Sequence, residues 1–302
     1  MSEPKYAVTA VGNAIVDTIA RVDDEFIKKF GMERNVMQLI DEARAVELYA
    51  AMSPEREIGG GSAANTMVGF ASFGGKGAFI GKVADDKLGE LFVNDIKSSG
   101  VHFNTQPLIL GPATARSMIM VTPDAQRTMN TFLGASVELT PDDIDITLIG
   151  SSGITYLEGY LFDRDLAKRA FIKSAEVAHE SGHRVALTLS DPFCVDRHRE
   201  DFQNLVEHHV DVLFANEDEI KALYEEDQFE VAAKIVAGKC EVAALTRSEK
   251  GSVVVSHDKV MHTISPVETD VIDTTGAGDQ YAAGFLYGFT EGMPLEQCGR
   301  LG

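Results

Sequence analysis

The chain has no tryptophan and only three cysteines, Cys194, Cys240 and Cys298, among its 302 residues. An odd number without a C-x-x-C pair excludes a disulfide framework and a thiolate zinc site, and fits a reducing cytoplasm. Positive charge is scarce as well: 27 Lys and Arg stand against 47 Asp and Glu, a formal net charge of -20. Such a field repels phosphate backbones and anionic lipid, which argues against a nucleic-acid or membrane partner. It still leaves room for a small anion held at a helix N-terminus or by a few basic side chains. No stretch approaches the ~20 apolar residues of a spanning helix. The apolar run after Lys5 is broken by Asn13 and Asp17, unlike a secretory signal. Low-complexity linkers, internal repeats and a G-x-x-x-x-G-K-[ST] loop are also missing.

What is present is enough to build a core: 44% of residues are hydrophobic and 25% charged. Short runs rich in small and β-branched residues read as strands at Tyr6–Val11, Gly77–Val83, Ile154–Leu157, Val185–Leu189, Val210–Phe214 and Val242–Thr246. Between them, Ala63–Phe73, Leu88–Ser98, Asp165–His179 and Asn216–Tyr224 carry the helical period. This alternation predicts an α/β fold around a mostly parallel sheet. Two excursions break it, at about 17–40 and 107–133. Asp17–Val22, Asn35–Ile40, Ala115–Val121 and Arg127–Phe132 read as strands there, the last two joined by a Thr122-Pro-Asp-Ala125 turn. They are expected to form a small β-sheet lid on one domain spanning 1–302. Pro294 suits a helix start, and Leu295–Leu301 then reads as a turn or two without a capping signal, an incomplete terminal helix.

The most informative stretch is Asp273-Thr-Thr-Gly-Ala-Gly-Asp279, followed by a helix of small and apolar residues. Gly276 and Gly278 expose backbone N–H groups at a helix N-terminus, a ready bed for an anion. Asp279 in the first turn reads either as a cap or as a base beside that bed, able to take a proton from an attacking hydroxyl.

This string resembles the C-terminal signature of the PfkB family, the ribokinase-like carbohydrate and nucleoside kinases. Gly59-Gly-Gly-Ser-Ala-Ala-Asn-Thr66 resembles that family's first signature, and Gly12-Asn-Ala-Ile-Val-Asp17 its strand-end substrate motif. Asn216-Glu-Asp-Glu219 is similar to its N-x-x-E motif, and Thr246-Arg-Ser-Glu-Lys-Gly251 to its nucleotide-side loop. The resemblance implies a three-layer α/β/α kinase with ATP and Mg²⁺ as cofactors, a small-molecule acceptor, and a monomeric or homodimeric state. It implies that Asp279 is the base and that Gly276, Ala277 and Gly278 form an anion hole for the γ-phosphoryl group, with Arg127 as a lid arginine reaching the phosphates. Asp17, Gly60, Gly61 and Asn65 would hold acceptor hydroxyls. Asn216 and Glu219 would organise Mg²⁺ through water, Thr246, Ser248 and Gly251 would line the nucleotide, and Asp273 and Thr275 would belong to a monovalent-cation site for K⁺.

Within that family, the segment Arg21–Ile40 and the helix after it resemble adenosine kinases more than bacterial ribokinases. Met37, Leu39 and Tyr160 are then expected to wall an apolar slot for a flat base; the same residues also read as ordinary packing. Ribose, fructose or a keto-deoxy acid are the alternative acceptors. Two other motifs compete. His179-Glu-Ser-Gly-His183 matches the H-E-x-x-H of zinc hydrolases, yet Gly182 ends the helix before His183. Gly59-x-Gly61-x-x-Ala64 matches the G-x-G-x-x-A of NAD-binding dehydrogenases, but polar Ser53-Pro-Glu-Arg-Glu57 precedes it and reads as a turn where a strand is needed.

Overall fold

The computed structural model describes residues 4–124, 126–267 and 274–302. In chain order its first elements are β1 (Tyr6–Val11), β2 (Ile15–Arg21), α1 (Asp24–Lys29), β3 (Met37–Leu39), α2 (Glu42–Met52), β4 (Arg56–Gly60), α3 (Ser62–Ser72), β5 (Gly77–Ile80), α4 (Lys87–Ser98), β6 (His102–Phe103), β7 (Ala115–Val121) and β8 (Arg127–Phe132). Then follow α5 (Ile146–Gly150), β9 (Ser152–Glu158), α6 (Asp165–Glu180), β10 (Arg184–Thr188), α7 (Pro192–Arg197), α8 (Arg199–His208), β11 (Val212–Asn216), α9 (Glu217–Tyr224), α10 (Phe229–Val236), β12 (Val242–Thr246), β13 (Ser252–Ser256), β14 (Met261–Ile264), α11 (Ala277–Thr290) and α12 (Leu295–Leu301).

Nine strands make the large sheet, in the order β14-β13-β12-β11-β10-β9-β1-β5-β6. All pairs are parallel except β12–β13 and β13–β14. Its central strands are largely apolar because both faces are covered. Val11, Leu157, Leu187, Leu213 and Leu245 pack with the α6–α10 side, and Val8, Tyr156, Ala186, Phe214 and Ala244 with α3, α4 and α11. The result is the expected three-layer α/β/α arrangement. From β1 the order runs outward to β5 and β6, and from β9 it runs the other way, so the order reverses between β1 and β9. The crevice beyond the C-terminal ends of the strands at such a point is the preferred ligand position in parallel sheets.

Five strands form the second sheet, in the order β3-β8-β7-β2-β4. Its two faces differ. Val16, Thr18 and Ala20 on β2 are buried, and Ala20, Met118 and Met120 pack with Ala45, Leu48 and Met52 of α2. Ile15, Asp17 and Ile19 alternate with them and are only half-buried. This period of two is the pattern of a sheet with one packed and one open face.

Two features depart from the sequence reading. The segment before the glycines is not a turn throughout, because Arg56–Gly60 is strand β4, antiparallel to β2. Its charged residues conceal it, as befits an edge strand. The chain after β12 doubles back as antiparallel β13 and β14, which cover that edge of the large sheet. Leu295–Leu301 forms a helix, with Cys298 fully buried. Ala125 of the expected β7–β8 turn lies outside the described residues.

Leu48 is 0% exposed between α2 and the second sheet. Leu48→Ala should therefore cost about 2–5 kcal/mol, read as a lower thermal unfolding midpoint.

Candidate active site

Asp279 is built into place by two helices. Gly276 caps α11 in the left-handed region, at φ 73°, which glycine enters at little cost. Asp279 is then the third helical residue. The Ala277 N–H donates to Thr274 O at 3.1 Å, while the N–H groups of Gly278 and Asp279 belong to the first turn, which has no intrahelical acceptors. A Cβ at Gly278 would meet nothing within 4 Å, so those amides can be approached. From α3, Ser62 Oγ donates to Asp279 Oδ1 at 2.7 Å and Asn65 Nδ2 to Oδ2 at 3.2 Å. Burial pushes the Asp279 carboxyl above its ordinary pKa, and the two hydrogen bonds oppose that rise.

The acceptor-side residues converge on the same place. A Cβ at Gly60 would sit 2.5 Å from Asp17 Oδ2, so the Asp17 carboxylate lies directly over β4. At Gly61 φ is 103° and a Cβ would lie 2.3 Å from Asn13 O; no other residue fits between strand and helix there. Asp17 is raised to about 6, chiefly by burial; Arg127 lowers it and Asp279 raises it again. Arg127 Nη1 donates to Thr275 Oγ1 at 3.1 Å, linking β8 to the turn before α11. Asn65, Thr275 and Gly276 line a cleft of about 530 Å³ together with Arg56, Ile58 and Gln280.

One buried carboxylate in this region escaped sequence reasoning. Glu158, at the end of β9, is 1% exposed. Its Oε1 accepts from Asn13 Nδ2 at 2.6 Å, and its Oε2 accepts from the N–H groups of Ala63 at 2.9 Å and Asn13 at 3.3 Å. Burial drives its pKa up to about 7 against these hydrogen bonds, and Asp279 adds to the rise. A single Glu at a strand end carries no spacing signal. Only the β1–β9 pairing brings it to Asn13. Ser62 stood inside a recognised motif, but its hydroxyl's partner lies 217 positions away in sequence.

The candidate nucleotide residues gather at the ends of the next strands. Asn216 is opposite Thr246 in the parallel β11–β12 pairing. Asn216 and Glu219 form a reciprocal capping box: Asn216 Oδ1 accepts from Glu219 N at 2.8 Å, and the Glu219 carboxylate accepts from Asn216 N at 2.9 Å and Nδ2 at 2.6 Å. Burial raises Glu219 to about 7, with Asp191 and Asp218 contributing. Beyond Thr246 the chain turns tightly, Gly251 N–H donating to Ser248 O and Arg247 N–H to Gly251 O. Among the described residues no cluster of three or more His, Cys, Asp or Glu could hold a metal unaided. The Glu219 oxygens fit an outer contact with the waters of a Mg²⁺ that arrives on a nucleotide.

Met37 and Leu39 belong to the second sheet, and Tyr160 to the turn that follows β9 of the large one. Residues paired across adjacent strands project to one face. Asp17 is opposite Ser117, Ser117 opposite Thr131, and Thr131 opposite Leu39; the next row is Ile19, Ile119, Met129 and Met37. Met37 and Leu39 therefore share the open face with Asp17. Tyr160 follows β9 instead, its N–H donating to Ser190 Oγ at 3.3 Å, with Asp191 and Glu158 as electrostatic neighbours. Asp273 lies outside the described residues.

Both competing motifs are resolved by geometry. α6 ends at Glu180, and His179 Nε2 pairs with Asp211 Oδ2 at 2.9 Å, so His179 and His183 are not on one helical face. A strand does precede Gly61, contrary to the sequence reading. It is an antiparallel edge strand of the second sheet rather than the parallel strand of a dinucleotide fold.

A buried carboxyl with a raised pKa beside open helix-start amides, at the switch point of a parallel sheet, is apparatus suited to a phosphotransferase acting on an alcohol. Comparison with known proteins agrees. Residues 34–302 match the pfkB family carbohydrate kinase model. A solved structure of adenosine kinase from Sinorhizobium meliloti is 51% identical, covering 98% of this chain and 91% of that one, with a TM-score of 0.90. A probable sugar kinase from Rhizobium etli is 46% identical over 99% and 91% of the two chains, with a TM-score of 0.91. Adenosine kinase of Saccharomyces cerevisiae is 27% identical over 96% of this chain and 90% of its own length. The chain belongs to the pfkB carbohydrate kinase family, and is a phosphotransferase with an alcohol group as acceptor.

Glu158 and Glu219 at about 7 and Asp17 at about 6 set the pH response of the ligand-free protein. A carboxyl whose folded pKa is raised stabilises the fold fully below its unfolded pKa and loses that contribution as pH rises through the folded value. Each fully buried member is worth on the order of 3 kcal/mol. The unfolding midpoint should be higher at pH 5.5 than at pH 7.5 in a thermal scan.

Proposed function

We propose that the chain transfers the γ-phosphoryl group of ATP to a primary hydroxyl of a nucleoside, with adenosine the favoured acceptor. The observation that carries the reading is Asp279, held by Ser62 and Asn65 beside the open Gly276–Gly278 turn. Asp279 takes the acceptor's proton as the hydroxyl oxygen bonds to the γ-phosphorus and the bond to the ADP oxygen breaks. The amides of Gly276, Ala277 and Gly278, with the α11 dipole behind them, face the charge on the transferring group. Asp17, Gly60, Gly61 and Asn65 orient the acceptor. Asn216 and Glu219 hold water at the metal, and Thr246, Ser248 and Gly251 line the nucleotide. Mg²⁺, when bound, neutralises phosphate charge. Arg127 on the second sheet reaches the phosphates as that sheet closes over the acceptor and excludes water. Asp273 and Thr275 would belong to a monovalent-cation site for K⁺, with Thr275 Oγ1 also accepting from Arg127. A chain with only three cysteines, all of them buried, accords with a cytoplasmic location.

The nucleoside is favoured because the face that carries Asp17 continues into the accessible apolar side chains of Ile19, Met129, Met37 and Leu39, a surface suited to a flat base. The relatives named adenosine kinase point the same way. A sugar remains the second reading, because the Ser117 and Thr131 hydroxyls, 2.9 Å apart, adjoin Asp17 on that face and because a related structure is a probable sugar kinase.

Asp279→Asn keeps the shape and removes the proton acceptor. Turnover should fall ~10²-fold or more with MgATP affinity little changed; near-normal turnover would overturn the assignment. In a coupled ADP-release screen, adenosine should exceed ribose, fructose and fructose phosphates in kcat/KM. Leu39→Ala should raise the KM for adenosine by about 5- to 30-fold, the loss of about 1–2 kcal/mol of apolar contact. Equal rates on ribose and adenosine, or preference for a sugar phosphate, would remove the nucleoside and keep the kinase.

A further inference from the structure

Glu158 stands where the large sheet reverses its order. β1 and β9 are neighbours, and the link from β1 to β2 passes over the end of β9 at Gly12 and Asn13. Three N–H groups from two separate segments converge on its carboxylate: the backbone and side-chain N–H of Asn13, and the backbone N–H of Ala63 in the first turn of α3. The packing admits nothing else. A Cβ at Gly12 would lie 2.5 Å from Glu158 Oε2 and 2.6 Å from the Ala63 Cβ. That first turn of α3 also begins with Ser62, whose hydroxyl holds Asp279, and includes Asn65, which holds it from the other side.

We infer that Glu158 is a positioning residue for phosphoryl transfer: it fixes the first turn of α3 against the β1–β2 link, and through Ser62 and Asn65 fixes the direction in which Asp279 faces the acceptor. A neutral apolar residue would fill the space more cheaply, because an ionised carboxylate buried to this degree costs folding energy. Its two oxygens accept from all three donors together. A glutamine keeps the clamp only if the Asn13 side-chain amide turns over, so that its Oδ1, buried without a partner, accepts from the new N–H while the glutamine oxygen holds the two backbone N–H groups. An aspartate keeps the charge but is one methylene too short to reach both segments. The inference rests on the reading of Asp279 as base.

The test compares Glu158→Gln and Glu158→Asp with the wild type in steady-state turnover, calorimetric MgATP binding and thermal unfolding. The nucleotide residues lie at the ends of β11 and β12, apart from the Asn13–Ala63 clamp. MgATP affinity should therefore stay within twofold in both variants, while in Glu158→Asp kcat falls at least tenfold and the acceptor KM rises less than kcat falls. The unfolding midpoint of Glu158→Gln at pH 7.5 should not drop, because a buried charge has been removed and the amide still reaches both segments, and this variant should retain more turnover than Glu158→Asp. A kcat within twofold of wild type in Glu158→Asp overturns the inference. So does a loss of MgATP binding that parallels the loss of turnover, which marks a general folding role. The base assignment fails on a different result, near-normal turnover of Asp279→Asn, so the two can be told apart.

Discussion

Asp17, Glu158 and Asp279 have to be held within electrostatic reach of one another, and much of the site follows from that demand. Asp279 raises both of the others, and burial raises all three. Like charges so close are tolerated only when donors converge on each of them. The chain supplies such donors from the first turn of α3, from the β1–β2 link and from Arg127, which pulls Asp17 back toward its ionised form. The glycines of the acceptor motif serve the same end: Gly60 leaves space for Asp17, Gly12 for Glu158, and Gly61 lets a strand turn into a helix at once. Net charge makes the crowding more costly still, since the whole chain is strongly acidic. The site is therefore poised to welcome cationic charge, and a nucleotide accompanied by a metal ion brings it.

The large sheet was legible because its strands announce themselves. Tyr6–Val11 and Val242–Thr246 are apolar runs flanked by polar turns, and their observed limits are those read from composition. In the second sheet Ala115–Val121 and Arg127–Phe132 were equally plain. β4 was not, because Arg-Glu-Ile-Gly-Gly has neither β-branched density nor alternation, and it becomes a strand only by pairing with β2. Tertiary pairing overrode local preference there. The antiparallel return through β13 and β14 was hidden for a related reason: a run such as Ser252–Ser256 is compatible with either direction until its partner is known.

At the site, spacing revealed residues that share a turn and missed those joined across the chain. Asp279 and its glycines are neighbours in sequence, as are Asn216 and Glu219, so their grouping at one helix start could be read directly. Glu158 is 145 positions from Asn13 and 95 from Ala63, and nothing local distinguishes it from a solvated glutamate. Met37, Leu39 and Tyr160 show the converse. Their types suggested a common wall, but not that two of them stand on the second sheet and the third after a strand of the large one.

The joint between the two sheets has a mechanical meaning. β4 ends at Gly60 and α3 begins at Ser62, so a single residue separates a strand of the second sheet from the helix that holds Asp279. There is little slack in such a coupling. Rocking of the second sheet about Gly61 would swing the Ser62 hydroxyl on a short radius and strain its 2.7 Å contact with Asp279. The Asp17 face and the Asp279 carboxylate are thus two arms of one short lever with its pivot at a glycine.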